Sequence, residues 1–198
     1  QSGGHGQFGD VVIEIKPLPR GSGFQFTDTI TGGVVPKTYI QSVETGVRDY
    51  LKSGPLGFPV VDVAVNLSDG SYHAVDSSDM AFQMAARLAM KEGMAACSPV
   101  LLEPVMKVEI VTPSDATSKI IALIPQRRGQ ILGYDARPDW PGWDVVEATM
   151  PQAEIGDLII ELRSATAGVA SYRAAFDHMA ELTGRLADEA MNGSGKAA

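Results

Sequence analysis

The segment Asp79–Cys97 constrains the fold of this chain more than any other. Asp79, Gln83, Arg87 and Lys91 recur every four residues and form one narrow polar stripe; nearly everything between them is Met, Ala, Phe or Leu. A helix with so small a polar face must be covered over most of its circumference, between a sheet and another layer. Asp76-Ser77-Ser78-Asp79 supplies its start, because short oxygen side chains satisfy free amides at a helix N-terminus. Ser98-Pro99 closes it.

Strands able to provide that sheet precede the helix. Val11, Ile13 and Ile15 alternate with Val12, Glu14 and Lys16, the period-two signature of a half-buried strand. Pro17 to Gly23 breaks the pattern, and Phe24 to Ile30 reads as the returning strand of a hairpin. Pro36 opens a helix in which Ile40, Val43, Val47 and Leu51 share a face. It spans roughly 16 residues, about 24 Å at 1.5 Å each. Val61, Val63, Val65 and Leu67 form one face of a further strand, and Asp69 to His73 reads as a turn-rich loop.

A second unit follows. Met106, Val108 and Ile110 mark a strand; Thr112-Pro113-Ser114 enters a helix with Ile120, Ile121 and Leu123 on its apolar side. Pro125 should kink or shorten that helix. Gln130–Arg137 and Trp143–Met150 read as strands around a Pro141-Gly142 turn; Ile155, Leu158, Ile159 and Leu162 as a helix face; Ser171–His178 as a last strand. The order βαββαβ is the ferredoxin-like plan. Ala180 to Met191 reads as a terminal helix, and Asn192 onward as a frayed tail. The expected class is α+β, with two two-layer α/β sandwich domains at residues 1–103 and 104–179 and a helix with tail at 180–198.

Composition limits function. The net charge is −8 and neither half of the chain is basic, which argues against wholesale nucleic-acid binding but leaves room for a small RNA-facing tip. One cysteine excludes an internal disulfide framework and a Cys-based zinc site. No apolar run reaches ~18 residues, so no membrane span is expected. The chain opens on Gln1 without an initiator Met, as a piece of something longer would.

No enzyme signature emerges. There is no GxxxxGK(S/T) phosphate loop, no GxGxxG after a strand, no HExxH and no GxSxG. Gly21-Ser22-Gly23 reads as a tight hairpin or, less economically, a phosphate cradle. Cys97 reads as a small hydrophobe at a helix end and His178 as structural. Asp62, Asp69 and Asp76 recur every seven residues but cross a strand, a loop and a cap, so no metal site is expected there. Arg127-Arg128 is either a cationic helix terminus or an RNA phosphate contact. His73, in a polar loop between a buried strand and a buried helix, is either plain surface or functional.

Longer strings carry a specific resemblance. Gln1 to Gly9, Gly32-Gly33-Val34-Val35-Pro36-Lys37, Pro59-Val60-Val61-Asp62 and above all Asp69-Gly70-Ser71-Tyr72-His73-Ala74-Val75-Asp76-Ser77-Ser78-Asp79-Met80-Ala81-Phe82 resemble domain IV of bacterial translation elongation factor G. Leu102 to Glu109, Arg127 to Gly133 and Leu162-Arg163-Ser164 resemble its domain V. The likeness runs in order through almost the whole chain. Ser118 to Pro125, Ile155 to Ile159 and Gly168-Val169-Ala170 depart from the family pattern, as in the divergent second elongation factor G found beside the principal one in some bacteria.

The resemblance implies a cytoplasmic, monomeric, ribosome-dependent GTPase that promotes tRNA–mRNA translocation. Its GTP and Mg site would lie in an N-terminal domain outside this chain, leaving no catalytic residue and no cofactor here. It implies a first domain whose tip enters the small-subunit decoding site and holds the tRNA–mRNA duplex. The two tip loops would match Pro19–Gly23 and Asp69–Asp76, which makes Gly21, Ser22, Gly23, Asp69, Gly70, Ser71, Tyr72, His73 and Asp76 the candidate contacts. Arg127 and Arg128 are the candidate rRNA contacts near the large-subunit stalk base. Ribosome recycling or antibiotic protection is the alternative within the family, and a small-molecule enzyme on the same fold the alternative outside it.

Overall fold

A computed structural model describes residues 5–194. Gln1–Gly4 of the first resembling string and residues 195–198 of the expected tail lie outside the described residues. The chain divides into two compact units, residues 1–101 with 183–198, and residues 102–182. The terminal helix thus groups with the first unit.

The first unit runs β1 (Asp10–Pro17), β2 (Phe24–Asp28), α1 (Lys37–Leu51), β3 (Val63–Ser71) and α2 (Asp79–Ala95). Its sheet order is β1-β3-β2, with β1 antiparallel and β2 parallel to the central β3. β1 and β2 are therefore not the hairpin expected from their proximity. The intervening loop crosses the end of β3, and α1 is the crossover helix that a parallel pair requires. Val11, Ile13 and Ile15 meet Val63, Val65 and Leu67 under the helices as their alternation predicts. The opposite face carries Glu14, Asn66, Thr27 and Thr29, hydrogen-bonded through Asn66.

β3 is longer than expected. A bulge between the Val12–Asp69 and Ile13–Leu67 pairs lets it continue through Asp69, Gly70 and Ser71, opposite Asp10 to Val12. The turn-forming composition of these residues predicts a loop instead. Gly70 sits where a Cβ would stand 2.3 Å from the Asp10 carbonyl oxygen and 2.7 Å from a Val35 methyl. It marks close packing rather than a turn.

Helix α2 starts where its Ser78 cap predicts, the hydroxyl accepting the Ala81 N–H at 3.1 Å. Its burial is one-sided. Ala81, Phe82, Ala86, Met90 and Met94 are buried, whereas Met80, Met84 and Leu88 are exposed, so the expected second covering layer is not there among the described residues. The polar stripe borders α1: Ser42 donates to Asp79 at 2.8 Å and Arg87 lies 3.6 Å from Asp49. Gly46 lets the two helices touch, since a Cβ there would lie 2.4 Å from the Gln83 carbonyl oxygen.

The second unit runs β4 (Leu101–Pro113), α3 (Thr117–Gln126), β5 (Gln130–Ala136), β6 (Trp143–Pro151), α4 (Leu158–Ala165) and β7 (Ser171–Leu182). The sheet order β5-β6-β4-β7 is that of the ferredoxin-like fold, as expected. Val108, Ile110, Val146, Ala148 and Met150 form its core with Ile120, Ile124, Leu158 and Leu162 of the helices. Helix α3 ends one residue beyond Pro125. The last strand runs four residues past His178, which delays the terminal helix α5 to Gly184–Ser194; Asn192 to Ser194, expected frayed, belong to it.

Candidate functional site

The loop from Tyr72 to Ser78 leaves the C-terminal end of β3 and enters α2. The His73 side chain is 56% exposed, so the loop reading rather than a packed interior holds. The loop is nonetheless ordered by its own groups. The His73 N–H donates to Ser77 Oγ at 2.9 Å, and the Ser77 N–H to the His73 carbonyl at 3.1 Å. The ring Nδ1 accepts the N–H groups of Val75 at 3.3 Å and Asp76 at 3.2 Å. A loop this closed holds His73 in place without packing it.

Residues 5–9 lie against this loop. Asp76 Oδ1 accepts the Gly6 N–H at 2.7 Å, the Asp76 carbonyl accepts the Phe8 N–H at 2.9 Å, and Ser77 Oγ donates to the Phe8 carbonyl at 2.8 Å. The Phe8 and His73 rings meet edge-on with centroids 6.3 Å apart. Gly6 allows this approach, since a Cβ would stand 3.0 Å from the Asp76 carboxyl carbon and the carboxylate would have to shift slightly. Sequence reasoning missed this partnership. Its signal was the glycine spacing of His5-Gly6-Gln7-Phe8-Gly9, which favours close backbone approach.

Gly21, Ser22 and Gly23 do not belong to this cluster. β1 pairs Pro17 with Val63 and Asp10 with Ser71, so the Pro19–Gly23 loop lies at the N-terminal end of β3 and His73 at the other. The nine residues of β3 separate them, eight steps or about 26 Å at 3.3 Å per residue. The expected pairing of these two loops in one tip is therefore corrected: one end of the sheet cannot hold both. The Pro19–Gly23 loop is a turn closed by Ser22 N–H and Oγ on the Pro19 carbonyl, with Gly21 at φ 87°. It is tied to Asp62, whose Oδ1 accepts the Gly23 N–H.

Asp69 and Ser71 serve the strand end: Asp69 Oδ1 accepts the Gly70 N–H, and Ser71 Oγ donates to Asp10 at 2.9 Å. Of the candidates, Tyr72, His73 and Asp76 remain together. A depression of about 520 Å3 beside them is lined by Tyr39, Tyr72, His73 and Asp79 among others.

In the second unit the candidate rRNA contacts are committed elsewhere. Arg127, its side chain 9% exposed, donates to Asp157 at 2.7 Å and the Glu154 carbonyl at 2.6 Å, and pairs with Glu161 at 3.2 Å. Burial lowers its pKa but is outweighed by the Asp157 and Glu161 hydrogen bonds, so the net shift is upward; Arg127 holds Asp157 below the usual carboxylate range. Arg128 forks onto both Glu103 oxygens at 2.7 and 3.1 Å and reaches Glu154 at 3.0 Å. Its pKa rises through the Glu103 bond above all. Arg127 is thus buried against these carboxylates, whereas the Arg128 side chain stays 34% exposed. Cys97 is exposed, its thiol donating to the Gly93 carbonyl, and the exposed His178 lies beside Asp177. Among the described residues no cluster of His, Cys, Asp or Glu could hold a metal, and no helix is long and apolar enough to cross a membrane.

A β-α-β unit with an exposed histidine loop, followed by a ferredoxin-like unit, is the arrangement over which two models of translation elongation factor domains match in order. The model for elongation factor G domain IV matches residues 1–98, and that for the elongation factor G C-terminus matches residues 100–190. The chain belongs to the elongation factor G family. It is 59% identical over 187 residues to an elongation factor G-like protein of Synechocystis sp. (strain ATCC 27184 / PCC 6803 / Kazusa), covering 94% of this chain and 28% of that protein. It also matches a crystal structure of a Thermus thermophilus protein with a TM-score of 0.88 and 38% identity, over 99% of this chain and 29% of that one. The chain spans under a third of the length of both.

Proposed function

We propose that this chain is the ribosome-facing part of a cytoplasmic translational GTPase, and that the cluster of Tyr72, His73 and Asp76 with residues 5–9 contacts RNA while tRNA and mRNA move. GTP and Mg would be held by a domain outside the chain, and the protein would act as a monomer. The observation that carries this reading is the ordered but exposed His73 loop at one end of β3 in the domain IV unit. An acidic body with net charge −8 limits non-specific adhesion to RNA, so position depends on a few contacts at that end. A-form RNA is read by shape and ribose hydroxyls, which suits small neutral donors and acceptors. GTP hydrolysis elsewhere would bias the ribosome between two states, and this cluster would favour one by differential contact.

The test uses the full-length protein with ribosomes and GTP. His73→Ala should slow tRNA–mRNA movement about tenfold, the loss of one or two hydrogen bonds, while ribosome-stimulated GTP hydrolysis stays within about twofold. Equal loss of both activities, or of neither, would count against it. Divergence of Ser118 to Pro125 and the likeness to a protein named elongation factor G-like favour a paralogue over the principal translocase. A subunit-splitting assay beside a polypeptide synthesis assay distinguishes recycling from translocation.

A further inference from the structure

We propose that two copies of this protein pair through the free edge of β7, in an antiparallel register that centres on Ala175 and sets Arg173 of each copy opposite Asp177 of the other. The inference goes beyond the ribosomal reading. It concerns the protein away from the ribosome and leaves the monomer as the form that acts there.

β7 stands at the end of the sheet order β5-β6-β4-β7, so among the described residues β4 is its one strand neighbour and its outer edge is unpaired. It runs for 12 residues with neither proline nor glycine. Six of these in succession, Arg173 to His178, are exposed. Neighbouring strand residues point to opposite faces, so both faces and the edge lie open over this stretch. Tyr172 packs against the core, which puts Ala174 and Phe176 on its face; Phe176 is 61% exposed. Arg173 reaches Glu109 on the opposite face, which it shares with Ala175 and Asp177. A long, open edge with Ala-Ala-Phe at its middle is a template for another strand.

Charge selects both the occupant and the register. In a two-fold antiparallel pair, residues whose N–H groups point outward meet their own kind, so the centre falls on a residue. Centred on Arg173 or on Asp177, like charges would stand directly opposite one another. Centred on Ala174 or Phe176, neither charge meets an opposite one. Centred on Ala175, Arg173 faces Asp177 twice, Phe176 faces Ala174 twice and Tyr172 faces His178 twice, with no like charges opposed. Both charged groups have capacity left. Arg173 holds Glu109 through Nε and Nη2, leaving Nη1, and Asp177 meets His178 through Oδ2, leaving Oδ1. An unrelated strand would have to carry an anion and a cation at this same spacing, whereas a second copy carries them by symmetry. So short a contact falls below the area of a standard interface, so the expected Kd is micromolar.

Sedimentation velocity of the full-length protein, from about 100 µM down to about 1 µM, should show a reversible monomer–dimer equilibrium. Arg173→Asp and Asp177→Arg each set like charges opposite and should each weaken self-association about tenfold or more. Mixed together, the two variants should associate at least as tightly as the parent, because each strand then meets opposite charge at both positions. Ala175→Cys, in a background without other cysteines, tests the register without changing charge: facing Cα atoms about 4.5–5.5 Å apart suit a disulfide. It should crosslink to dimer under mild oxidation much faster than Ser171→Cys. A parent that stays monomeric throughout overturns the inference. So do single reversals that leave association unchanged, a mixture that fails to regain it, or equal crosslinking at the two cysteine positions. None of these outcomes bears on the ribosomal reading, which stands or falls with His73→Ala.

Discussion

Asp76 Oδ1 accepts the Gly6 backbone N–H at 2.7 Å across seventy positions of sequence. The same residue's carbonyl accepts the Phe8 N–H, and its own N–H donates to His73 Nδ1. Asp76 therefore joins the two segments at this end of the sheet. Asp76→Ala should speed hydrogen exchange at Gly6 about tenfold, consistent with loss of one charge-assisted bond. Asp76→Asn keeps an acceptor and should fall between. Exchange at Gly6 that is already fast in the parent would contradict the link.

The Pro19–Gly23 loop lies at the other end of β3. Ser22→Ala removes only the hydroxyl bond to the Pro19 carbonyl. Translocation by the full-length protein should change by less than about twofold, as for a surface change away from a site. A loss rivalling that of His73→Ala would return this loop to the contact surface.

Gly70→Ala tests the continuation of β3. Its methyl would meet the Asp10 carbonyl oxygen at 2.3 Å, so strands must part. Unfolding by denaturant should show a loss of about 2–4 kcal/mol. An unchanged midpoint would mean that the strand ends at Leu67.

Arg127 gives the second unit a pH signature. Asp157 has a folded pKa below its unfolded value, chiefly through the Arg127 hydrogen bond. Its stabilising contribution is complete above the ordinary carboxylate range and is lost as pH falls through the lowered folded value. The raised value of Arg127 matters only in strong alkali. Asp157→Asn should therefore flatten the acid side of the stability profile and leave the neutral-to-alkaline side parallel to the parent. An undiminished acid slope would assign the pair no role. Arg127→Met strands the Glu154 carbonyl and should cost about 1–3 kcal/mol.

Local periodicity made most elements legible. Val11, Ile13 and Ile15 face the core as their alternation requires, and Ser78 caps α2 as its hydroxyl requires. Periodicity does not report partners. The exposed Met80, Met84 and Leu88 show this, because an apolar helix face says that covering would be favourable and not which side is covered. Asp69-Gly70-Ser71 misleads for another reason: the residues that favour turns are also those a bulged strand end uses when backbones approach closely.

The sequence alone determined the α+β class, the ferredoxin-like order of the second unit, the family and the loop position of His73. All of these reside in local pattern or in strings of residues. Only the tertiary structure decided that β3 lies between β1 and β2, that residues 5–9 rather than 19–23 accompany His73, and that Arg127 faces Asp157 rather than solvent. Each depends on strand pairing or on a hydrogen bond between residues far apart in sequence. Such contacts follow from which surfaces pack most closely, and no local pattern encodes that choice.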